Sequence, residues 1–224
     1  MMRRLLWPLI SVLSTFVLFG VAFAAFAFGR GDWVAFFQSP ARVGALVVSL
    51  ALSAVVMFSD FGGMNPGKKE DRGNRWIFGP FIVLAFGMAA LPAYLDGSSR
   101  WTTDEAVTPY VGLALLTLGG ALRLAAVFVL GRRFTGLVAI QEGHRLQTGG
   151  LYRYIRHPSY TGLLLYMAGY VLVFRCWLGL LLVAGTLAVL LARMDSEETL
   201  LESEFREEYA SYRRHTWRLV PWVY

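Results

Sequence analysis

Long apolar blocks alternate with short polar links along the chain. Five blocks stand out by hydropathy: Leu5 to Phe28, Ala41 to Phe61, Trp76 to Leu95, Pro109 to Gly131, and Tyr160 to Ala192. The first four have roughly the ~20 residues that a helix needs to cross ~30 Å of hydrocarbon. The fifth is too long for one crossing, because at ~1.5 Å per residue it would reach about 50 Å. The chain must turn back within it, and Arg175-Cys176-Trp177 is the interruption at which it can. Each arm of that hairpin then has only about 15 residues, so the hairpin tilts or has protein over its ends. The pattern predicts an all-α integral membrane protein of about six transmembrane helices, the last two forming a helical hairpin.

Placing the basic residues on this pattern gives an orientation. With a cytoplasmic N-terminus, Arg3, Arg4, Lys68, Lys69, Arg72, Arg75, Arg132, Arg133, Arg145, Arg153, Arg156, Arg193, Arg206, Arg213, Arg214 and Arg218 fall inside, against Arg30, Arg42, Arg100 and Arg175 outside. This bias predicts that both termini are cytoplasmic. Arg3-Arg4 before an apolar run and the small residues from Ala22 to Ala27 also fit a secretory signal peptide. The run is longer than a usual signal core, however, and keeping it gives an even number of crossings that agrees with every loop charge.

Composition agrees with the pattern. Hydrophobic residues make up 56% of the chain and charged ones 16%, against about 25% charged in soluble domains. The net charge of +6 is scattered through short loops rather than gathered on one face, which argues for membrane topology and against a nucleic-acid partner. Cys176 is the only cysteine, so the chain has no internal disulfide and no thiolate cluster of its own. No G-x-S-x-G, H-E-x-x-H or P-loop pattern occurs, which disfavours triad hydrolysis and metal chemistry.

Polar chemistry gathers in two stretches that flank the hairpin on its cytoplasmic side, 132–159 and 193–224. From Gln141 to Gly162 the first reads Q-E-G-H-R-L-Q-T-G-G-L-Y-R-Y-I-R-H-P-S-Y-T-G. Donors, acceptors, aromatic faces and glycines lie together on a segment able to bend around a nucleotide-like ligand. Pro158 suits a first helical turn, which puts His157 and Ser159 at a helix start where a carboxylate is favoured. His157 could equally be a plain cap, and Tyr154 and Trp177 read as interfacial anchors. In the second stretch Arg193 and Glu197 share a helix face, and Glu198 follows. They form either a surface salt bridge or a pair that opens to hold ligand groups. Arg123, about eight residues inside the fourth block, either snorkels or meets a substrate head group.

These motifs resemble the isoprenylcysteine carboxyl methyltransferase family: His144-x-Leu146-x-Thr148, Gly150-x-Tyr152, Arg156-His157-Pro158-Ser159-Tyr160-x-Gly162, then Arg193 ahead of Glu197-Glu198 and Leu201. Phe205, Tyr209, Tyr212 and Pro221 continue the likeness, although Arg206 stands where the family usually has glycine. The resemblance covers roughly residues 109 to 222. It implies an S-adenosylmethionine-dependent methyltransferase. It places Gln141, His144, Arg145, Leu146, Gln147, Tyr152, His157, Pro158, Ser159, Tyr160 and Glu197 around that cofactor, and makes Arg193 the catalytic and substrate-holding residue. The acceptor it implies is lipid-like, or a small molecule bearing a thiol or carboxylate, and reaches the site from the membrane lipids.

The chain thus divides into three N-terminal spans, 1–108, and a catalytic region, 109–224. Two other readings stay open at this stage. An NADPH-dependent sterol-reductase-like enzyme shares an R-H-P-x-Y motif, but the Arg193 and Glu197-Glu198 element argues against it. A non-catalytic scaffold or transporter would leave the cytoplasmic loops only to pack together.

Overall fold

A computed structural model describes residues 2–56, 69–134, 136–140 and 145–224. Six apolar helices follow one another: α1 (Met2–Arg30), α2 (Pro40–Val55), α3 (Phe78–Gly97), α4 (Thr108–Leu130), α5 (Pro158–Val173) and α6 (Leu180–Arg214). Four reach the length and apolarity needed to cross a membrane, while α2 and α5, at 16 residues each, are shorter. Their outward faces are apolar: Phe16, Val47, Val83 and Leu118 are all exposed. Such surfaces are costly in water and suit lipid. The molecule is a multi-pass integral membrane protein.

The hairpin turns where its length required. Helix α5 ends at Val173, Arg175 takes a positive φ of 53°, and a 3₁₀ turn over Trp177–Gly179 leads into α6. Arg175 is fixed there by Asp96 at the end of α3, with Nε 2.8 Å and Nη2 2.6 Å from Oδ1. Beyond its apolar half, α6 continues as a polar helix to Arg214, interrupted by non-helical backbone at Arg206. The stretch 193–214 is therefore helix rather than loose tail.

Helices α4 and α5 run antiparallel in backbone contact, and glycine makes this possible. A Cβ added at Gly119 would fall 2.4 Å from the Tyr166 nitrogen, and one at Gly169 2.3 Å from the Leu116 nitrogen. Gly112 and Gly162 complete two glycine pairs, each pair seven residues apart on its own helix. In lipid, where apolar burial gives no drive for helix association, such close packing is a main source of adhesion. It places the start of α5 beside the end of α4, where the polar chemistry lies.

The N-terminal helices pack on this pair. Ser49 of α2 meets the Tyr166 hydroxyl of α5 at 2.7 Å. Phe19, Ala22 and Phe26 of α1 share a core with Met88 and Ala93 of α3, with Tyr170 of α5 and with Phe174 at its end. At the polar end a short antiparallel ladder joins β1 (Lys69–Glu70) to β2 (Ala139–Ile140). Asn74 Nδ2 then donates to Ser196 Oγ of α6 at 2.8 Å. The link before α3 is in this way sewn to both segments that flank the hairpin.

Candidate functional site

The polar end of α5 begins as Pro158 predicts, with His157 as N-cap. Pro158 supplies no N–H where none is needed, and its side chain is fully buried as packing. The two residues before the helix are held by the C-terminal segment: Arg156 N donates to Trp217 O at 2.8 Å and His157 N to Arg218 O at 3.1 Å. Thr161 Oγ1 adds a bond to Leu219 O at 2.7 Å. The end of the chain thus fixes where His157 and Tyr160 point.

Glu197 and Glu198, about 100° apart around α6, do different work. Glu198 is buried, and its Oε1 accepts from Arg156 Nε at 3.0 Å, Arg218 Nε at 3.1 Å and His157 Nε2 at 3.0 Å. A carboxylate gathering two guanidinium groups and an imidazole ties α6, the α5 start and the C-terminal segment together. Since ionised Glu198 can only accept, His157 Nε2 donates to it, and Nδ1 lies 3.6 Å from Glu197 Oε2. The His157 and Tyr160 rings stack at 5.5 Å.

Glu197 also accepts from the Tyr160 hydroxyl and from Arg193 Nε, the latter at 2.9 Å. Arg193 Nε lies 2.6 Å from the same hydroxyl, and Nη2 donates to Gly136 O at 2.9 Å. The Arg193–Glu197 pair is therefore closed. Arg193 is buried, and its Nε and Nη2 both donate to protein.

Between these elements opens a cleft. Its walls are the end of α4, Phe134, the 137–139 link, the 146–160 segment and the polar half of α6. Leu146, Gln147, Tyr152, His157, Ser159, Tyr160 and Glu197 line it together. Arg193 stands behind that wall, Arg145 is exposed away from it, and Arg123 lines a neighbouring cavity instead. Gln141 and His144 lie outside the described residues. Arg133 ties the loop down, donating to Arg145 O and to Gln147 Oε1, each at 3.1 Å. Tyr152 donates to Ala126 O at 3.3 Å, and burial pushes its phenol up, so it stays a neutral donor.

Further wall residues complete the cleft, and of these Leu201 and Tyr209 stood in the motifs while Phe134, Leu137, Val138 and Leu200 had no signal of their own. Phe134, Leu137 and Val138 give an apolar side, and Leu200 and Leu201 face them from α6. Tyr209 is 1% exposed and lines the cleft, yet its hydroxyl has no hydrogen-bond partner among the described residues. An orphaned buried hydroxyl costs about 1–3 kcal/mol. The position of Tyr209 in a motif marked it, but not its unpaired state.

Residues 112–203 match the model of the Isoprenylcysteine carboxyl methyltransferase (ICMT) family. A rice protein (Oryza sativa subsp. indica) named "Probable protein-S-isoprenylcysteine O-methyltransferase" is 35% identical over 119 residues, covering 51% of this chain and 61% of that protein. Protein-S-isoprenylcysteine O-methyltransferase B of Arabidopsis thaliana is 34% identical over 115 residues, 50% of this chain and 58% of its own. The human protein-S-isoprenylcysteine O-methyltransferase is 27% identical over 213 residues, 90% of this chain and 72% of its own. The chain thus spans about three-fifths of the plant relatives it matches. A solved structure of "the eukaryotic intramembrane Ras methyltransferase ICMT" aligns with 98% of this chain and 93% of its own at 20% identity and a TM-score of 0.46. The matched stretch runs from Gly112 on α4 to Ser203 on α6 and takes in most of the cleft; over that stretch the chain is ICMT-like.

Proposed function

We propose that the chain is an S-adenosylmethionine-dependent methyltransferase of the isoprenylcysteine carboxyl type, working at the cytoplasmic boundary of a membrane. The observation that carries this reading is the cleft itself. It gathers Gln147, Tyr152, His157, Ser159 and Tyr160 of the 146–160 segment and Glu197 of α6, next to an apolar wall and a phenol without a partner among the described residues. S-adenosylmethionine supplies a methyl group on a sulfonium sulfur, so the protein need only align an acceptor opposite the leaving sulfur. The donor set fits such a ligand. The start of α5 favours a carboxylate, Leu146 and Leu200 offer apolar surface to a ring, and the Tyr209 hydroxyl lacks a partner that a polar ligand would supply.

On this reading Glu197 and Tyr160 present a fixed polar edge to the reacting groups. Arg193 is the residue that positions both. Residues 109–224 form the catalytic region, and the distribution of basic residues supports cytoplasmic termini and a cytoplasmic cleft. The acceptor is the carboxylate of an isoprenylated cysteine, as the description of the matching family suggests.

Calorimetric titration of detergent-purified protein with S-adenosylmethionine and S-adenosylhomocysteine tests the reading. Binding should be lost or weakened at least ~30-fold in His157→Ala and Glu197→Ala. Tyr209→Phe removes one hydroxyl and should weaken binding about tenfold, the equivalent of ~1.4 kcal/mol, while leaving the ligand-free protein at least as stable. No binding to folded wild type would overturn the assignment.

A further inference from the structure

The segment that follows α6 fastens the start of α5 with its first residues. Trp217 O and Arg218 O accept from Arg156 N and His157 N, and Trp217 N donates to Tyr154 O at 3.0 Å. Leu219 is then buried in a core that it shares with Phe81 of α3, Leu164 of α5 and Leu187 and Leu191 of α6. These residues lie near the polar ends of three apolar helices, and next to Phe81 the side chains of Ile82 and Val83 are exposed, as lipid-facing positions are. Leu219 therefore stands at the level where the bundle enters hydrocarbon, and the residues after it lie at the membrane edge.

Those residues form a closed turn. Leu219 N and Val220 N donate to Tyr224 O at 2.8 and 3.0 Å, and Val223 N and Tyr224 N donate to Val220 O at 3.1 and 3.0 Å. Trp222 holds φ 64°, a left-handed backbone that a bulky side chain adopts only under constraint. The constraint does not serve burial: Trp222 is 83% exposed and Val223 79%. The Trp222 ring leans on that of Trp217, with 5.4 Å between centres, and Val220 and Tyr154 are exposed nearby. Arg214 and His215, both exposed, lead into the turn, and Arg153 is exposed beside the Tyr154 ring. An aromatic and apolar cluster with arginines around it, at the height of a membrane edge, matches a lipid headgroup layer, where indole rings are favoured and guanidinium groups meet phosphate.

We propose that the turn Leu219–Tyr224 is a membrane-surface anchor. Trp222 and Val223 enter the headgroup layer on the cleft side of the bilayer, and Arg153 and Arg214 lie against its anionic lipids. The anchor and the fastening of α5 belong to one short segment, so lipid that holds Trp222 also steadies Trp217 O and Arg218 O over Arg156 and His157. The membrane surface thereby gains a direct hold on the His157 end of the cleft, whatever reaction the cleft performs.

Electron paramagnetic resonance tests this, with a nitroxide on Val223→Cys in the full chain reconstituted into phosphatidylcholine vesicles, with and without phosphatidylglycerol. Cys176, the one native cysteine, is buried and leaves the label specific. Glu207→Cys, exposed on the polar half of α6, gives the water-side reference. Relative to that reference, the label at 223 should favour collision with oxygen over an aqueous nickel chelate by at least about threefold. Phosphatidylglycerol should raise that ratio, and Arg153→Gln combined with Arg214→Gln should remove the increase. Trp222→Gly takes away the ring and relieves the backbone, so the label at 223 should move into water, and amide exchange at Arg156 and His157 in vesicles should rise about tenfold. Nickel collisions at 223 as frequent as at 207 overturn the proposal, as does a label that keeps its depth in Trp222→Gly. Dipolar broadening at 223 that disappears on dilution with unlabelled protein overturns it too, because a second copy of the chain would then cover the patch.

Discussion

Arg206 holds φ 44° and ψ −116° within α6, a backbone region that side chains bearing a Cβ avoid. The helix breaks there so that Tyr209 and Tyr212 can turn toward the cleft, Tyr212 donating to Tyr152 O at 2.7 Å. Glycine reaches this conformation at little cost, which explains in physical terms why the ICMT-like pattern favours glycine after Phe205. Arg206→Gly should therefore raise stability by about 1–3 kcal/mol, read as a higher unfolding temperature in detergent, with S-adenosylhomocysteine affinity unchanged. A lower unfolding temperature would mean that the arginine side chain makes up for its backbone. At this scale the sequence was a partial guide. Residue types named most of the cleft, because His157, Tyr160 and Glu197 carry their chemistry in any setting. It could not show that Arg193 would donate to Tyr160, Glu197 and Gly136, nor that Arg123 would meet Ser159. Both depend on which neighbours the fold brings within ~3 Å.

Among the elements, the α4–α5 pair decides where the site stands. Bringing Gly119 to alanine sets a Cβ 2.4 Å from a backbone nitrogen that cannot yield without moving the helix. Gly119→Ala and Gly162→Ala should each cost about 1–3 kcal/mol and weaken S-adenosylhomocysteine binding, since displacing α5 carries His157 and Tyr160 with it. Gly20→Ala, with open space around the new carbon, serves as the control and should be neutral or slightly stabilising. Thermal unfolding and calorimetry on the three variants separate the cases, and equal stability throughout would refute the packing argument. The hairpin was legible from length alone, because a run of about 50 Å exceeds one crossing of ~30 Å and has to fold back. The glycine spacing was equally present in the sequence, at 112 and 119 and at 162 and 169, but glycines seven apart mark an interface only once the partner helix is known. The ladder of Lys69–Glu70 with Ala139–Ile140 left no trace, since two-residue strands carry no periodicity.

Over the whole molecule, polar groups collect at two opposite ends of an apolar bundle, and each end has its own logic. One end is the cleft. At the other, Asp96 is 2% exposed and receives Arg175, while Arg42 Nη1 stands 3.7 Å from its second oxygen, an ion pair without a hydrogen bond. Arg42 also lies over the Phe26 ring, 4.2 Å from its centre. One carboxylate thus gathers α2, α3 and the hairpin turn, with α1 joined through Phe26, and its charge is matched by groups that would be stranded without it. Asp96→Ala leaves two arginines without their anion and should destabilise by about 3–5 kcal/mol. Asp96→Asn keeps the shape and one acceptor and should fall between that variant and wild type. Because the clamp lies across the bundle from the cleft, S-adenosylhomocysteine affinity measured well below the unfolding temperature should stay within about twofold in both. If affinity fell in step with stability, the two ends would be coupled through α3 and α6, and the division of the molecule into a fastening end and a working end would have to be abandoned.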